Sequence, residues 1–153
     1  MSPNQKMMAA RVILSVIAIV TIVSPFLADW NASHIYNPLW TPHAKFHNAQ
    51  TMSMAVLLGI AALVFTWWKR GGTRGTFVAA FLFTSFYWVS QALAFLFPGV
   101  AWTDPNLLKV GQTLTQFPIQ LKGDLVLFVV LTLAAWLYAS ASSRRPPSAQ
   151  SAS

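Results

Sequence analysis

Long apolar runs separated by short polar stretches dominate the chain. Four runs each reach the roughly 20 residues of helix that cross a hydrocarbon core about 30 Å thick. They cover about 8–28, 50–68, 76–97 and 121–141. This pattern predicts an all-α fold, a polytopic membrane four-helix bundle, with a four-span domain over residues 1–141. The polar segment 142–153 is rich in Ser and Pro and is predicted to be a disordered tail.

Composition favours lipid as the solvent of this protein. Hydrophobic residues make up 56% of the chain and charged residues only 8%, against roughly 25% charged residues in an average soluble domain. We therefore expect an integral, multi-pass membrane protein whose main partner is the lipid bilayer. The absence of cysteine excludes disulfides and thiolate metal sites. No glycine-rich phosphate-binding motif is present, so no nucleotide cofactor is expected.

The distribution of positive charge predicts an orientation. The net charge is +7, but the Lys and Arg residues flank the apolar runs instead of forming one basic face, so nucleic acid is not an expected partner. Three of them fall on one side of the predicted bundle, namely Lys45, Lys109 and Lys122. Seven fall on the other, namely Lys6, Arg11, Lys69, Arg70, Arg74, Arg144 and Arg145. The positive-inside rule then places both termini in the cytoplasm.

Tryptophan and tyrosine near the span ends predict two interfacial belts. The inner belt would contain Trp67, Trp68, Trp136 and Tyr138. The outer belt would contain Trp30, Trp40 and Trp102.

Every acid and every histidine falls at the predicted outer side. The acids are Asp29, Asp104 and Asp124, and the histidines are His34, His43 and His47. Any acid–base or metal chemistry is therefore expected at the outer membrane interface.

The histidines lie in one segment, "ADWNASHIYNPLWTPHAKFHNAQ", between the first two spans. Thr41 is a predicted N-cap and Pro42 suits the first position of a helix. The second helix is thus expected to begin near Pro42, outside the hydrocarbon. His43 and His47 are four residues apart and share one helical face.

Two polar residues inside the spans extend this picture. Asp124 lies at the outer end of the fourth span, where an ionisable side chain is costly and usually faces the bundle interior. Its partner is expected on another helix, with His43 or His47 at matching depth. Gln91, in the outer half of the third span, is expected to line the same pocket or to bond across helices.

Three uses of these residues remain open, and whether the protein is an enzyme remains open with them. The first is binding of a small lipophilic molecule with acid–base chemistry, in which His43 or His47 is the base and Asp29 or Asp124 orients it. Asn31, His34, Asn37 and Gln91 would complete that pocket. The second is a divalent metal held by His34, His43 and His47. The third is a non-enzymatic accessory or scaffold subunit, and oligomerisation is open in each case.

The same segment carries a dense motif, D-W-N-x-x-H-x-x-N-P-x-W-x-P-H-A-K-F-H. Its members here are Asp29, Trp30, Asn31, His34, Asn37, Pro38, Trp40, Pro42, His43, Ala44, Lys45, Phe46 and His47. The motif resembles the signature of a family of small, four-span integral membrane proteins of largely unknown function. That resemblance implies the architecture and no particular activity.

Overall fold

The protein is all-helical wherever its structure is described. The computed structural model describes residues 1–68 and 73–143. Its four long helices are α1 (Pro3–Asp29), α2 (Pro42–Trp67), α3 (Thr73–Ala94) and α4 (Ile119–Ser142). A short 3₁₀ helix, Pro105–Leu107, lies in the loop between α3 and α4. The predicted all-α class is confirmed.

Local sequence signals set the starts of the first two helices. Ser2 caps α1 and forms a reciprocal capping box with Gln5. Thr41 caps α2 by accepting a hydrogen bond from the Ala44 N–H at 3.2 Å, and Pro42 is the first residue of the helix, as predicted. Because α2 begins eight residues before the apolar window 50–68, its first turns carry His43 and His47.

Each long helix meets the requirements for a membrane span by length and composition. The apolar helical segments have 27, 26, 21 and 24 residues, with mean hydropathy between 1.5 and 2.3. Large apolar side chains face outward, such as Leu57 at 64% and Val129 at 70% exposure. This outer surface suits contact with lipid tails.

The helices form a four-cornered bundle. α1 packs against the other three helices, while α2 and α4 occupy opposite corners and make no contact among the described residues. The C-terminal ends of α1 and α3 and the N-terminal ends of α2 and α4 lie at one end of the bundle. We call this end, together with the loops 30–41 and 95–118, the polar end, because it holds all the acids and histidines.

Small residues bring α1 and α2 close together. Ala55, Gly59 and Ala62 are buried on one face of α2. A Cβ atom on Gly59 would lie 2.8 Å from the Ala18 carbonyl oxygen and would collide with the Ile22 side chain. Without a strong hydrophobic force between helices in lipid, such close backbone contact supplies much of the packing energy.

The opposite end of the bundle carries basic and aromatic residues. Lys6 donates a hydrogen bond to the Ser140 hydroxyl at 3.2 Å and lies 5.3 Å from the centre of the Trp136 ring. The Arg11 guanidinium lies 6.0 Å from the Trp67 ring. Tyr138, which was predicted to belong to the inner interfacial belt, stacks on Phe77 with 3.8 Å between the ring centroids and packs against the core.

Some of the predictions fall beyond the structure. Lys69, Arg70, Arg144, Arg145 and residues 146–153 of the predicted tail lie outside the described residues. Ser142, which the sequence placed in the tail, is the last residue of α4. The orientation of the bundle in the membrane stays a prediction.

The close approach at Gly59 gives a test of the packing. We expect Gly59→Val to cost about 1–3 kcal/mol, because the added side chain forces α1 and α2 apart. The measurement is the thermal unfolding midpoint of the purified protein in one detergent. Gly75→Ala in α3 is the matched control, since its added methyl group meets nothing within 4 Å. Equal midpoints for the two variants would contradict the close packing.

Candidate functional site

The loop between α1 and α2 is held by its own asparagines. The Asn31 amide donates to the Ala28 carbonyl at 2.6 Å, and its oxygen accepts the Ser33 N–H at 2.8 Å. The buried Asn37 amide donates to the Ser33 carbonyl at 3.0 Å, and its oxygen accepts the Leu39 N–H at 2.9 Å. Both asparagines were predicted to line a binding pocket. Their polar atoms instead shape the loop, and neither residue lines a cavity described below.

Asp29, the last residue of α1, is the centre of a polar cluster. One carboxylate oxygen accepts a hydrogen bond from the Asn48 amide of α2 at 2.7 Å. The other lies 3.6 Å from Nε2 of His34, within ion-pair range. This carboxylate therefore ties the end of α1 both to α2 and to the loop that connects them.

Ser33 lets His34 change its protonation state without losing a partner. Nδ1 of His34 lies 2.7 Å from the Ser33 hydroxyl, which also contacts the Asn31 side-chain oxygen. If the imidazole is neutral, the hydroxyl can donate to Nδ1 while Nε2–H faces Asp29. If the imidazole is charged, Nδ1–H can donate to the hydroxyl, which then donates to Asn31. The cluster thus provides a histidine able to accept or release a proton beside a carboxylate.

A cavity of about 680 Å³ opens beside this cluster. Helix ends from α1, α3 and α4, one residue of α2 and both loops line it. The lining residues are Ser24, Pro25, Ala28, Asp29, His34, Trp40, Thr51, Tyr87, Trp88, Gln91, Ala101, Trp102, Thr103, Asp104, Leu107, Ile119, Gln120 and Gly123. The set contains two acids and four aromatic rings, and none of its members is Lys or Arg.

Two hydrogen bonds position Trp40 and Trp102, the loop tryptophans that line the cavity. Nε1 of Trp40 donates to Asp104 at 3.3 Å and so joins the two polar-end loops. The Gln120 amide donates to the Trp102 carbonyl at 2.9 Å and holds the second loop against α4. Trp40 and Trp102, which were predicted to lie in the outer interfacial belt, both line the cavity. Trp30, the third member, is 54% exposed.

The deeper wall is set by α1 and α3. Nε1 of Trp88 donates to the buried Thr21 hydroxyl at 2.9 Å, which fixes the Trp88 ring between these helices. Pro25 lies inside α1 and has no N–H for the carbonyl one turn earlier, so the helix ladder is interrupted beside the cavity. Gln91, expected either to line a pocket or to bond across helices, lines the cavity from α3.

Asp124 is the most deeply buried acid, at 1% exposure. Neither of its carboxyl oxygens has a hydrogen-bond partner among the described residues. The predicted pairing with His43 or His47 is therefore not formed. Gln120, one turn earlier on the same face of α4, lines the cavity, and so does the adjacent Gly123. Asp124 itself is buried and does not line the cavity.

His43 and His47 lie outside this cavity. Their Nε2 atoms are 3.0 Å apart on the exposed face of α2, and neither pairs with an acid among the described residues. His47 lines a second cavity of about 240 Å³ between α2 and α3. The acid–base pair that the structure brings together is therefore His34 with Asp29, and not His43 or His47 with Asp29 or Asp124.

The structure does not gather the three histidines into a metal site. In the part of the chain that is described, no group of three or more His or Asp side chains is close enough to hold one ion. His34 instead meets Asp29 and Ser33, while the ring of His47 contacts His43 and Gln50.

One spacing in the sequence could have shown which residue of α2 faces inward. Asn48, Ala55 and Ala62 are seven residues apart, two helical turns each, and the last two are buried. His47 precedes Asn48 by one residue, so its side chain points about 100° away from that face at 100° per residue. Asp104, in contrast, had no local signal beyond its place among the acids.

The fold and this site define an all-helical protein with four membrane-length helices and a polar, aromatic cavity at one end. A family model matches residues 13–145, and the chain belongs to this family, DUF6640, a family of unknown function. Neither the curated proteins nor the solved structures include a match to the chain.

Proposed function

We propose that this protein is a multi-pass membrane protein that binds a small lipophilic molecule in the cavity at the polar end. The observation that carries this proposal is a cavity of about 680 Å³ that is lined both by four aromatic residues and by the Asp29–His34 pair. Ligand sites are typically concave and mostly apolar, with a few polar groups that orient the bound molecule. With cytoplasmic termini, the polar end faces the outer side of the membrane.

Two cavities suit the two parts of an amphiphile. Thr51 and Tyr87 line both the large cavity and the smaller one of about 240 Å³ between α2 and α3. The smaller cavity also has the apolar side chains of Met54 and Leu58. A polar head in the large cavity could therefore extend an apolar tail between α2 and α3 toward the lipid.

Acid–base chemistry, if the protein carries it out, falls to His34. Its Nε2 atom lies within ion-pair range of Asp29, which stabilises the imidazolium once a proton is accepted. His43 and His47 are exposed and have no carboxylate partner in the described residues. They favour a second, non-enzymatic candidate, in which this face of α2 contacts an accessory protein.

Filling the cavity tests the proposal. Gly123 lines the cavity, and an added Cβ atom meets nothing within 4 Å, so a larger side chain can enter the open space without a clash. We expect Gly123→Leu to abolish co-purification of a small molecule that wild-type protein retains. The measurement is untargeted mass spectrometry of extracts from protein purified in nanodiscs.

The matched control is Gly75→Leu, which also places its side chain in open space but lies in the first turn of α3, at the other end of the bundle. Retention in Gly75→Leu and loss in Gly123→Leu support the cavity as the binding site. Equal molecule content in wild type and both variants would refute it.

A separate comparison tests the histidine. We expect His34→Gln to reduce retention of the bound molecule, because the substitution removes the group that faces Asp29. His47→Gln should leave retention close to wild type, since His47 lies outside the large cavity. Loss in His47→Gln with full retention in His34→Gln would instead place the binding residue on the exposed face of α2.

A further inference from the structure

The unpaired polar atoms of the polar end share one chemical character. Among the described residues, four buried side-chain atoms lack a hydrogen-bond partner, and all four are acceptor oxygens. They belong to Asn48, Gln120 and Asp124. Buried polar groups in folded proteins nearly always find partners, so a set of orphan acceptors marks a place where donors are missing.

For Asn48 and Gln120, a hydrogen bond made by the amide nitrogen explains why the oxygen is the unpaired atom. The Asn48 amide nitrogen donates to Asp29 at 2.7 Å, which leaves its oxygen without a donor. The Gln120 amide nitrogen donates to the Trp102 carbonyl at 2.9 Å, which again leaves the oxygen. Asp124 contributes both of its oxygens, at 1% residue exposure.

Asp124 lies close to the cavity without lining it. It follows Gln120 by four residues, so the two side chains leave the same face of α4. Tyr87 lines the cavity from α3. Asp124 does not line the cavity itself, so its carboxyl acts on a bound cation by charge and not by direct contact.

The formally charged side chains that line the cavity are both acids. The chain carries a net charge of +7, yet the cavity lining contains Asp29 and Asp104 and neither Lys nor Arg. An unpaired buried carboxylate is strongly destabilising, so a cation or a strong donor bound nearby would stabilise this end of the bundle.

Aromatic rings are the second feature of the cavity that favours binding of a cation. Trp40, Tyr87, Trp88 and Trp102 line the same space. The face of an aromatic ring attracts a cation, most strongly for Trp, and the attraction grows when water is excluded.

We propose that the bound molecule is a lipophilic amine, whose protonated, N–H-bearing head lies in the large cavity and whose apolar tail follows α2 past Met54 and Leu58. This inference rests on the proposed function and names the chemical class of its ligand. From Gln50 to Leu58 the smaller cavity follows α2 for eight residues, or about 12 Å at 1.5 Å per residue. A single alkyl chain of about eight to twelve carbons fits that length.

Three probes with the same tail and different heads test the proposal. They are dodecylamine, dodecanol and dodecanoate, added at pH 7 to wild-type protein in nanodiscs of zwitterionic phosphatidylcholine, with empty nanodiscs subtracted. The readout is tryptophan fluorescence, since Trp40, Trp88 and Trp102 line the cavity. We expect dodecylamine to bind at least about tenfold more tightly than either other probe, because only its head supplies both charge and donors.

Substitutions of the acids locate the effect. Asp124→Asn keeps the shape of the side chain and removes the charge, and we expect it to weaken dodecylamine binding by about tenfold, with little change for dodecanol. Asp104→Asn should weaken dodecylamine binding as well, because Asp104 lines the cavity. This variant replaces Asp124→Asn in the test if Asp124→Asn does not fold. Asn4→Lys is the charge control, because it adds the same +1 at the opposite end of the bundle.

The outcomes separate this inference from the proposed function. Preference for dodecylamine that Asp124→Asn or Asp104→Asn removes and Asn4→Lys leaves intact supports the amine. Equal or tighter binding of dodecanol or dodecanoate, lost in Gly123→Leu, overturns the amine but keeps the cavity as a ligand site. Absence of binding by all three probes, together with equal molecule content in wild type and Gly123→Leu, overturns both.

Discussion

The hydrogen bond between the Asn48 amide and the Asp29 carboxylate, at 2.7 Å, determines how the polar end is built. It joins the last residue of α1 to the second turn of the neighbouring helix α2. With that tie in place, the other carboxylate oxygen faces His34 at 3.6 Å, and the connecting loop turns back over the cavity. Because this hydrogen bond uses the Asn48 amide nitrogen, the Asn48 oxygen is left without a donor and adds to the unpaired acceptor oxygens of the polar end.

A second constraint explains why this surplus lies at one end. The surface of the bundle is apolar along its length, and lipid tails cannot satisfy polar groups. Acids are therefore tolerated only where loops, amides and aromatic N–H groups can reach them. Asp29 and Asp104 receive such donors from Asn48 and Trp40, whereas Asp124 receives none among the described residues. A bound amine would supply positive charge near Asp124 and a donor at the cavity wall, where Gln120 has an unpaired oxygen.

The sequence predicted the parts of this structure that depend on local or periodic signals. Thr41 and Pro42 were recognisable as a helix start because capping involves only a few neighbouring residues. Ala55 and Gly59 were recognisable as a packing face because small residues recur at helical spacing. His47, in contrast, was expected in the pocket, and the structure places it on the exposed face of α2 outside the large cavity.

The pairings made by the loops were not predictable in the same way. His34 meets Asp29 only because Asn31 and Asn37 fold the loop, and these two asparagines gave no sign of whether they bind a ligand or the backbone. Trp40 reaches Asp104 across 64 residues of sequence, between two irregular segments. Such contacts depend on the three-dimensional arrangement of all four helix ends, which a one-dimensional pattern of apolar runs does not contain.

The central claim is that the polar end encloses an accessible cavity that attracts cations. Because the chain has no cysteine, a single cysteine can report on one position. The direct measurement compares the reaction rates of cationic and anionic methanethiosulfonate reagents at Gln91→Cys, inside the cavity, with those at Phe117→Cys, on the exposed loop. We expect the ratio of the cationic to the anionic reaction rate to be higher at position 91 than at position 117 by about tenfold or more. Equal rates, or a faster anionic reagent at position 91, would contradict it.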